Sequence, residues 1–259
     1  MPILLLKGKP IGSVKGILFD KDGTLTNSEN HLLTVANQRI DLAIELLKSE
    51  NIKEKELNKF KTLLRTAYGI NEKEITPEGS TAIASRKDNL ISMATVICMF
   101  DKNWSEAFDI ANRVFTKVDS LNNDGCKTKR PLLPGVKKML NKLQSAQIRC
   151  GLISNDSKKG LEDFLKENNL EDKFYDYWSC ESSPAKPDPS AVIEFCKKLK
   201  LKPSECALIG DSDSDLKMAS LGGVALVMGY VSGWSIPPKL RYEQELIYDW
   251  NDLSCQRET

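Results

Sequence analysis

The sequence predicts an α/β protein: a parallel sheet covered by helices on both faces, interrupted after its first strand by an all-helical insert. Three observations carry that prediction. Residues 14–20 form a short apolar run that ends in acidic residues, the pattern of a parallel strand buried on both faces. Residues 29–118 show only helical periodicity. From Pro134-Gly135 onward, helical and strand-like segments alternate, which is how crossover units of a parallel sheet read.

Taken in order, the first six residues, Met1-Pro2-Ile3-Leu4-Leu5-Leu6, are apolar over too short a stretch for a signal peptide and have no basic lead-in. After the strand at 14–20, four apolar faces recur at three- and four-residue steps. The first is Leu32, Leu33, Ala36, Ile40, Ala43, Ile44 and Leu47, and the second Leu57, Phe60, Leu63, Leu64 and Ala67. The third is Leu90, Ile91, Ala94, Ile97 and Cys98, and the fourth runs from Trp104 through Ala107, Phe108, Ala111, Val114 and Phe115 to Val118. Four amphipathic helices with no strand between them predict a bundle of their own. Leu121-Asn122-Asn123-Asp124-Gly125 reads as a linker.

Beyond it come a helix through Val136, Met139, Leu140 and Leu143, a strand at 148–153, and a helix through Leu161, Phe164 and Leu165. A short strand near Tyr177-Trp178, a helix at 189–199 and a strand at 206–209 follow. A helix through Leu216 and Ala219 then precedes strands at 224–228 and 246–248. The stretch 229–238, with Trp234 and Pro237-Pro238, reads as a loop that covers the sheet or, alternatively, lines the site entrance. The expected organisation is a core of residues 1–28 and 122–259 and a helical cap of residues 29–121.

Composition narrows the function. The 259 residues carry 37 Lys+Arg against 36 Asp+Glu, a net charge of +1 that lacks the footprint of a nucleic-acid binder. No apolar run approaches the ~20 residues that span a bilayer. The expected partner is therefore neither nucleic acid nor membrane, and monomer and dimer both stay open. The seven cysteines are odd in number, scattered and free of any Cys-x-x-Cys pair, as expected of reduced thiols in the cytoplasm. A lone His31 is too little for a zinc site.

In open parallel sheets ligands bind beyond the carboxyl ends of the strands. Four polar clusters stand at such places. Phe19-Asp20-Lys21-Asp22-Gly23-Thr24-Leu25 sends two carboxylates out of one strand, and Gly23 lets the chain turn so that both can face one point. Such a pair suits Mg²⁺ and split acid/base work, one carboxylate ionised and its neighbour pushed toward the protonated form. Lys21 between them reads as a surface lysine or as a residue that bears on local substrate contacts. Ser154-Asn155-Asp156 offers a hydroxyl and free amides to a phosphate, or a plain helix cap. Lys186-Pro187-Asp188-Pro189 places a fixed cation for an anion, or a surface lysine. Gly210-Asp211-Ser212-Asp213-Ser214-Asp215 concentrates acids where a buried strand stops, which a cation would relieve. One of these aspartates is expected to cap the next helix.

The order of these clusters resembles the haloacid-dehalogenase superfamily, whose pattern is Asp-x-Asp-Gly-Thr, Ser/Thr, Lys and Gly-Asp-x-x-x-Asp on a Rossmann-like core. Its phosphoglycolate-phosphatase-like branch carries a helical cap after the first motif. The resemblance implies a Mg²⁺-dependent phosphatase acting on a small phosphorylated metabolite. Asp20 would be the nucleophile that forms an aspartyl-phosphate, and Asp22 the general acid and base. Mg²⁺ would rest on Asp20, the Asp22 backbone carbonyl, Asp211 and Asp215, with Thr24, Ser154, Asn155 and Lys186 on the phosphate. In the cap, Arg86 or Lys87 would reach a substrate's remote group, although Ser85 also reads as a helix N-cap with those residues in its exposed first turn. A sugar-phosphate mutase of the β-phosphoglucomutase type and a non-catalytic phosphometabolite-binding module are the alternatives.

Overall fold

The computed structural model describes residues 1–50, 52–71, 73–123 and 130–256. Asp124 and Gly125 of the expected linker, and Cys126, lie outside the described residues. The chain divides into two compact units, one of Met1–Ser28 with Arg130–Thr259 and the other of Glu29–Lys129.

The first unit holds strands β1 (Ile3–Leu6), β2 (Lys9–Ser13), β3 (Gly16–Phe19), β4 (Arg149–Ile153), β5 (Asp176–Trp178), β6 (Cys206–Gly210), β7 (Leu226–Tyr230), β8 (Glu245–Ile247) and β9 (Leu253–Gln256). Six of them form a sheet in the order β5-β4-β3-β6-β7-β8, every pair parallel. The chain steps outward from β3 to β4 and β5, then returns to the other side of β3 with β6. That reversal opens a crevice between the ends of β3 and β6.

The helices of this unit are α6 (Val136–Ser145), α7 (Lys158–Asn168), α8 (Pro189–Lys198) and α9 (Asp213–Leu221). Strand β3 shows why its apolar run is unbroken. Ile17 and Phe19 pack on one face against Leu140, Phe164 and Trp250, while Leu18 packs on the other against Val192, Phe195 and Leu216. Both faces are covered, so no position is left for a polar residue.

Strand β7 begins two residues later than the apolar run 224–228 predicts, because the Val224 N–H still donates to the Ala219 carbonyl at the end of α9. A second sheet, β2-β1-β9, is antiparallel and was not expected. It explains the apolar amino terminus: Leu4 is buried on β1, which pairs with a strand some 250 positions away.

The second unit is helical, with α1 (Glu29–Ser49), α2 (Glu54–Tyr68), α3 (Ser80–Ile83), α4 (Arg86–Cys98) and α5 (Trp104–Asn123). The four expected helices are present, and a single turn, α3, is added between the second and third. Ala36, Ile40, Phe60, Leu64, Met93, Ile97, Ala111 and Phe115 supply its interior. The apolar face expected of α5 is too wide. Trp104 and Phe108 are 52% and 40% exposed and lie against one another, their rings tilted by 39°.

Candidate active site

The site starts from strand register. Phe19 on β3 is level with Ile209 on β6, and the Asp20 N–H donates to the Ile209 carbonyl at 2.9 Å. Asp20 and Asp211 therefore leave the sheet side by side. After Asp20 the chain turns sharply: Leu25 N–H and Thr26 N–H both donate to the Lys21 carbonyl, and Gly23 takes φ +76°. A Cβ at Gly23 would run into the Trp234 indole and the Asp211 carboxylate, so this turn needs glycine for backbone and for space.

Asp215 joins from the first turn of α9, whose N-cap is Ser212 and not one of the aspartates expected to cap it. Ser212 Oγ accepts from the Asp215 N–H at 3.2 Å and donates to Asp215 Oδ2 at 2.9 Å. An oxygen from each of Asp20, Asp211 and Asp215 lies within 4.8 Å of the others, and all three residues are buried. Lys186 Nζ sits 2.7 Å from Asp20 Oδ1 and 2.7 Å from Asp215 Oδ1. Its backbone leads through Pro187 into α8, which Asp188 caps by accepting the Ser190 N–H.

One ammonium thus stands among three buried carboxylates and touches two of them, Asp20 and Asp215. Asp211 receives only neutral donors, Thr24 Oγ1 at 3.1 Å and the Trp234 indole N–H. Burial and the charges of Asp20 and Asp215 push the Asp211 carboxyl well up despite those donors. Burial also raises Asp20; Lys186 offsets part of this and Asp215 adds to it, which leaves Asp20 at about 6. Burial alone would lower Lys186, but Asp20 and Asp215 raise it, so it stays charged. Each uncompensated buried charge costs on the order of several kcal/mol. A hard divalent cation on these oxygen donors would remove that cost, so the donor set fits Mg²⁺.

Asp22 stands apart from this group. Burial acts to raise its carboxyl, but Lys21 and Arg130 outweigh burial and bring it to about 2. Of the two neighbouring acids, one is pushed up and the other down: Asp20 up and Asp22 down. Lys21 is not a surface residue: its side chain is 1% exposed, with Nζ 2.8 Å from Asp22 Oδ2 and 2.8 Å from Asp156 Oδ2. Asp22 Oδ1 accepts from Ser28 Oγ. Its carboxylate thus faces Lys21 and Ser28, and the group of acids that could hold a cation is Asp20, Asp211 and Asp215.

Ser154 is buried just past β4, and its hydroxyl accepts from the Asp156 N–H at 3.2 Å. Asn155 beside it is half-buried. Thr24, expected on phosphate, donates its hydroxyl to Asp211 here. In the helical unit, Ser85 forms a capping box with Asp88. Arg86 Nε donates to Asp119, and Arg86 and Arg39 both lie over the Phe115 ring. Lys87 is exposed.

Two tryptophans matter that the sequence did not assign to the site: Trp234 was named only within its loop, and Trp250 was missed. The loop after β7 does more than cover the sheet, since it delivers the Trp234 N–H to Asp211. Trp250, stacked on Tyr230 with ring centroids 4.6 Å apart, donates to the Thr24 carbonyl at 3.1 Å and braces the turn after Asp20. For Trp234 a signal existed: its loop follows a strand end, as the four clusters do. Trp250 lies between two short, weakly apolar strands and gave none.

The haloacid dehalogenase-like hydrolase family model matches residues 14–223. A phosphoglycolate phosphatase of Vibrio vulnificus strain CMCP6 is 33% identical over 106 residues, 39% of this chain and 46% of that protein. The chain thus spans less than half the length of that relative. Another phosphoglycolate phosphatase, from Nitrosospira multiformis, is 22% identical over 81% of this chain and 80% of its own length. Among solved structures, a predicted phosphoglycolate phosphatase from Haemophilus somnus 129PT superposes with a TM-score of 0.63 at 22% identity, covering 93% of this chain and 97% of that one. At that identity the likeness bears on the fold alone. The family match covers most of the chain and every strand end that bears these side chains, from Asp20 to Asp215, and the chain belongs to the haloacid dehalogenase-like hydrolases.

Proposed function

We propose that this protein is a Mg²⁺-dependent phosphatase that hydrolyses a small-molecule phosphomonoester through an aspartyl-phosphate on Asp20. The observation that carries the reading is Lys186 at 2.7 Å from Asp20 Oδ1, with Asp211 and Asp215 alongside, in the crevice where the strand order reverses. Lys186 lies where it would offset the charge that builds between an attacking carboxylate and a phosphoryl group.

In this mechanism an Asp20 oxygen attacks phosphorus and the P–O bond to the alcohol breaks. Its electron pair takes a proton from Asp22, and the alcohol leaves. Asp22, now ionised, takes a proton from water as that water attacks the same phosphorus. The P–O bond to Asp20 breaks and inorganic phosphate departs. Lys21 favours the ionised form that the second half uses; a monoester entering as its monoanion would bring the proton for the first. Mg²⁺, when bound on Asp20, Asp211, Asp215 and the Asp22 carbonyl, would supply Lewis-acid neutralisation of phosphoryl charge. Ser154, Asn155 and Thr24 would orient the phosphoryl oxygens.

The relatives named as phosphoglycolate phosphatases support a phosphoglycolate-type substrate, with a small sugar phosphate as the other substrate type we propose. No disulfide joins the described cysteines, in keeping with a cytoplasmic enzyme. A phosphate-release screen over glycolate, sugar, nucleotide and amino-acid phosphates tests the proposal. Phosphate from one or a few small monoesters is expected; isomerisation of a sugar phosphate without phosphate release would identify a mutase instead.

A further inference from the structure

Lys21 has no part in the three-carboxylate group, yet it is among the largest fully buried side chains of the molecule. Its place is built from several directions. Nζ bridges Asp22 Oδ2 and Asp156 Oδ2 at 2.8 Å each. Asp156 is fixed in turn: Arg130 Nη1 donates to its Oδ2 at 3.1 Å, and the Ser157 N–H donates to its Oδ1 at 2.7 Å. The Asp156 carboxylate lies on Gly160 of α7, where a Cβ would collide with it. Phe164, one turn further along α7, places its ring 5.9 Å from Lys21 Nζ.

We infer that Lys21 is a positioning residue for Asp22, and that Asp156, seated on Gly160, holds Lys21 in the place from which it does this. The inference rests on the phosphatase reading for what Asp22 does. Asp22 has two oxygens to orient. Ser28 holds Oδ1 from the chain just beyond the turn, and without Lys21 nothing described here would hold Oδ2. A carboxylate free to rotate about its χ angles would meet the leaving oxygen and the attacking water in a small fraction of encounters, and proton transfer depends steeply on that geometry. A plain ion pair filling a void would need neither the second carboxylate nor the glycine that admits it.

The test uses Lys21→Met, which keeps the length and apolar stem, and Gly160→Ala, whose Cβ would meet the Asp156 carboxylate first. Both are assayed for phosphate release from an alkyl phosphomonoester turned over by the wild type and from p-nitrophenyl phosphate, whose phenolate leaves without a proton. For Lys21→Met, kcat/KM, which reports phosphoryl transfer to Asp20, is expected to fall about 100-fold on the alkyl ester and less than about 3-fold on the nitrophenyl ester, while kcat, which includes the hydrolysis both esters share, falls on both. Gly160→Ala is expected to show the same asymmetry, weaker. Equal losses of kcat/KM on both esters, or none, would overturn the inference and leave Lys21 a packing ion. Crystal structures of both variants give a readout that needs no turnover: Asp22 is expected to leave its position while Asp20, Asp211 and Asp215 stay. An unmoved Asp22 overturns the inference whatever the assay shows. If the wild type releases phosphate from no ester, the phosphatase reading fails separately, and Asp22's position alone decides the inference.

Discussion

Lys186 and Lys21 are both buried lysines on carboxylates that leave the same strand, and they act on those carboxylates differently. Lys186 sits between two acids of a group that keeps an excess of negative charge, so Asp20 and Asp211 are both pushed up. Lys21 has Arg130 nearby and two acids to serve, so the charges there balance and Asp22 and Asp156 are both pushed down. Asp156 gives a pH prediction. Burial acts to raise its carboxyl, but the attraction of Lys21 outweighs burial and lowers it from the ordinary 3.8. A depressed folded value means that its stabilisation is fully present above the unfolded range and is lost as pH falls through the lower folded value. In urea titrations, wild type should therefore exceed Asp156→Asn by a constant margin from about pH 7 to about pH 5, and the margin should shrink below about pH 4. A margin that widens on acidification would contradict this. Trp234 gives a metal prediction. Its N–H orients a would-be ligand, so Trp234→Phe should weaken Mg²⁺ binding about 10-fold in calorimetry, with the fold intact.

Elements place these residues, and their spacing left different traces in the chain. Strands buried on two faces and helices with one apolar stripe recur every few residues. That is why β3, β4, β6 and the helices around them could be read from Ile17, Leu152, Leu208 and Phe164. Strands β1 and β9 could not, because an antiparallel pair between the two ends of the unit has no local signature and Ser254 and Gln256 are polar. The clusters from Asp20 to Asp215 were legible because they follow strands that were. Lys21 was misread because only the folded chain shows that Asp156 lies across from it. At β4 the packing is tight enough for a stability test. A Cβ on Gly151 would come 2.8 Å from Phe195 Cζ and 2.9 Å from Leu199 Cδ1, so Gly151→Ala should destabilise the protein by about 1–3 kcal/mol in urea unfolding. A neutral or stabilising result would mean that α8 yields more easily than its packing indicates.

On the scale of the whole molecule, a net charge of +1 conceals a local excess of negative charge in one crevice. The molecule is therefore expected to be more stable with Mg²⁺ than without it. Metal at 100 times its dissociation constant should add about 2.7 kcal/mol, visible as a rise in Tm that Asp211→Asn abolishes. The central claim is that Asp20 is the nucleophile of a phosphomonoester hydrolase. The most direct measurement is phosphate release from small monoesters, with MgCl₂, by the wild type and by Asp20→Asn at matched folded concentration. The account predicts release by the wild type and loss of at least about 1,000-fold in the variant. An Asp20→Asn protein as active as the wild type would contradict it.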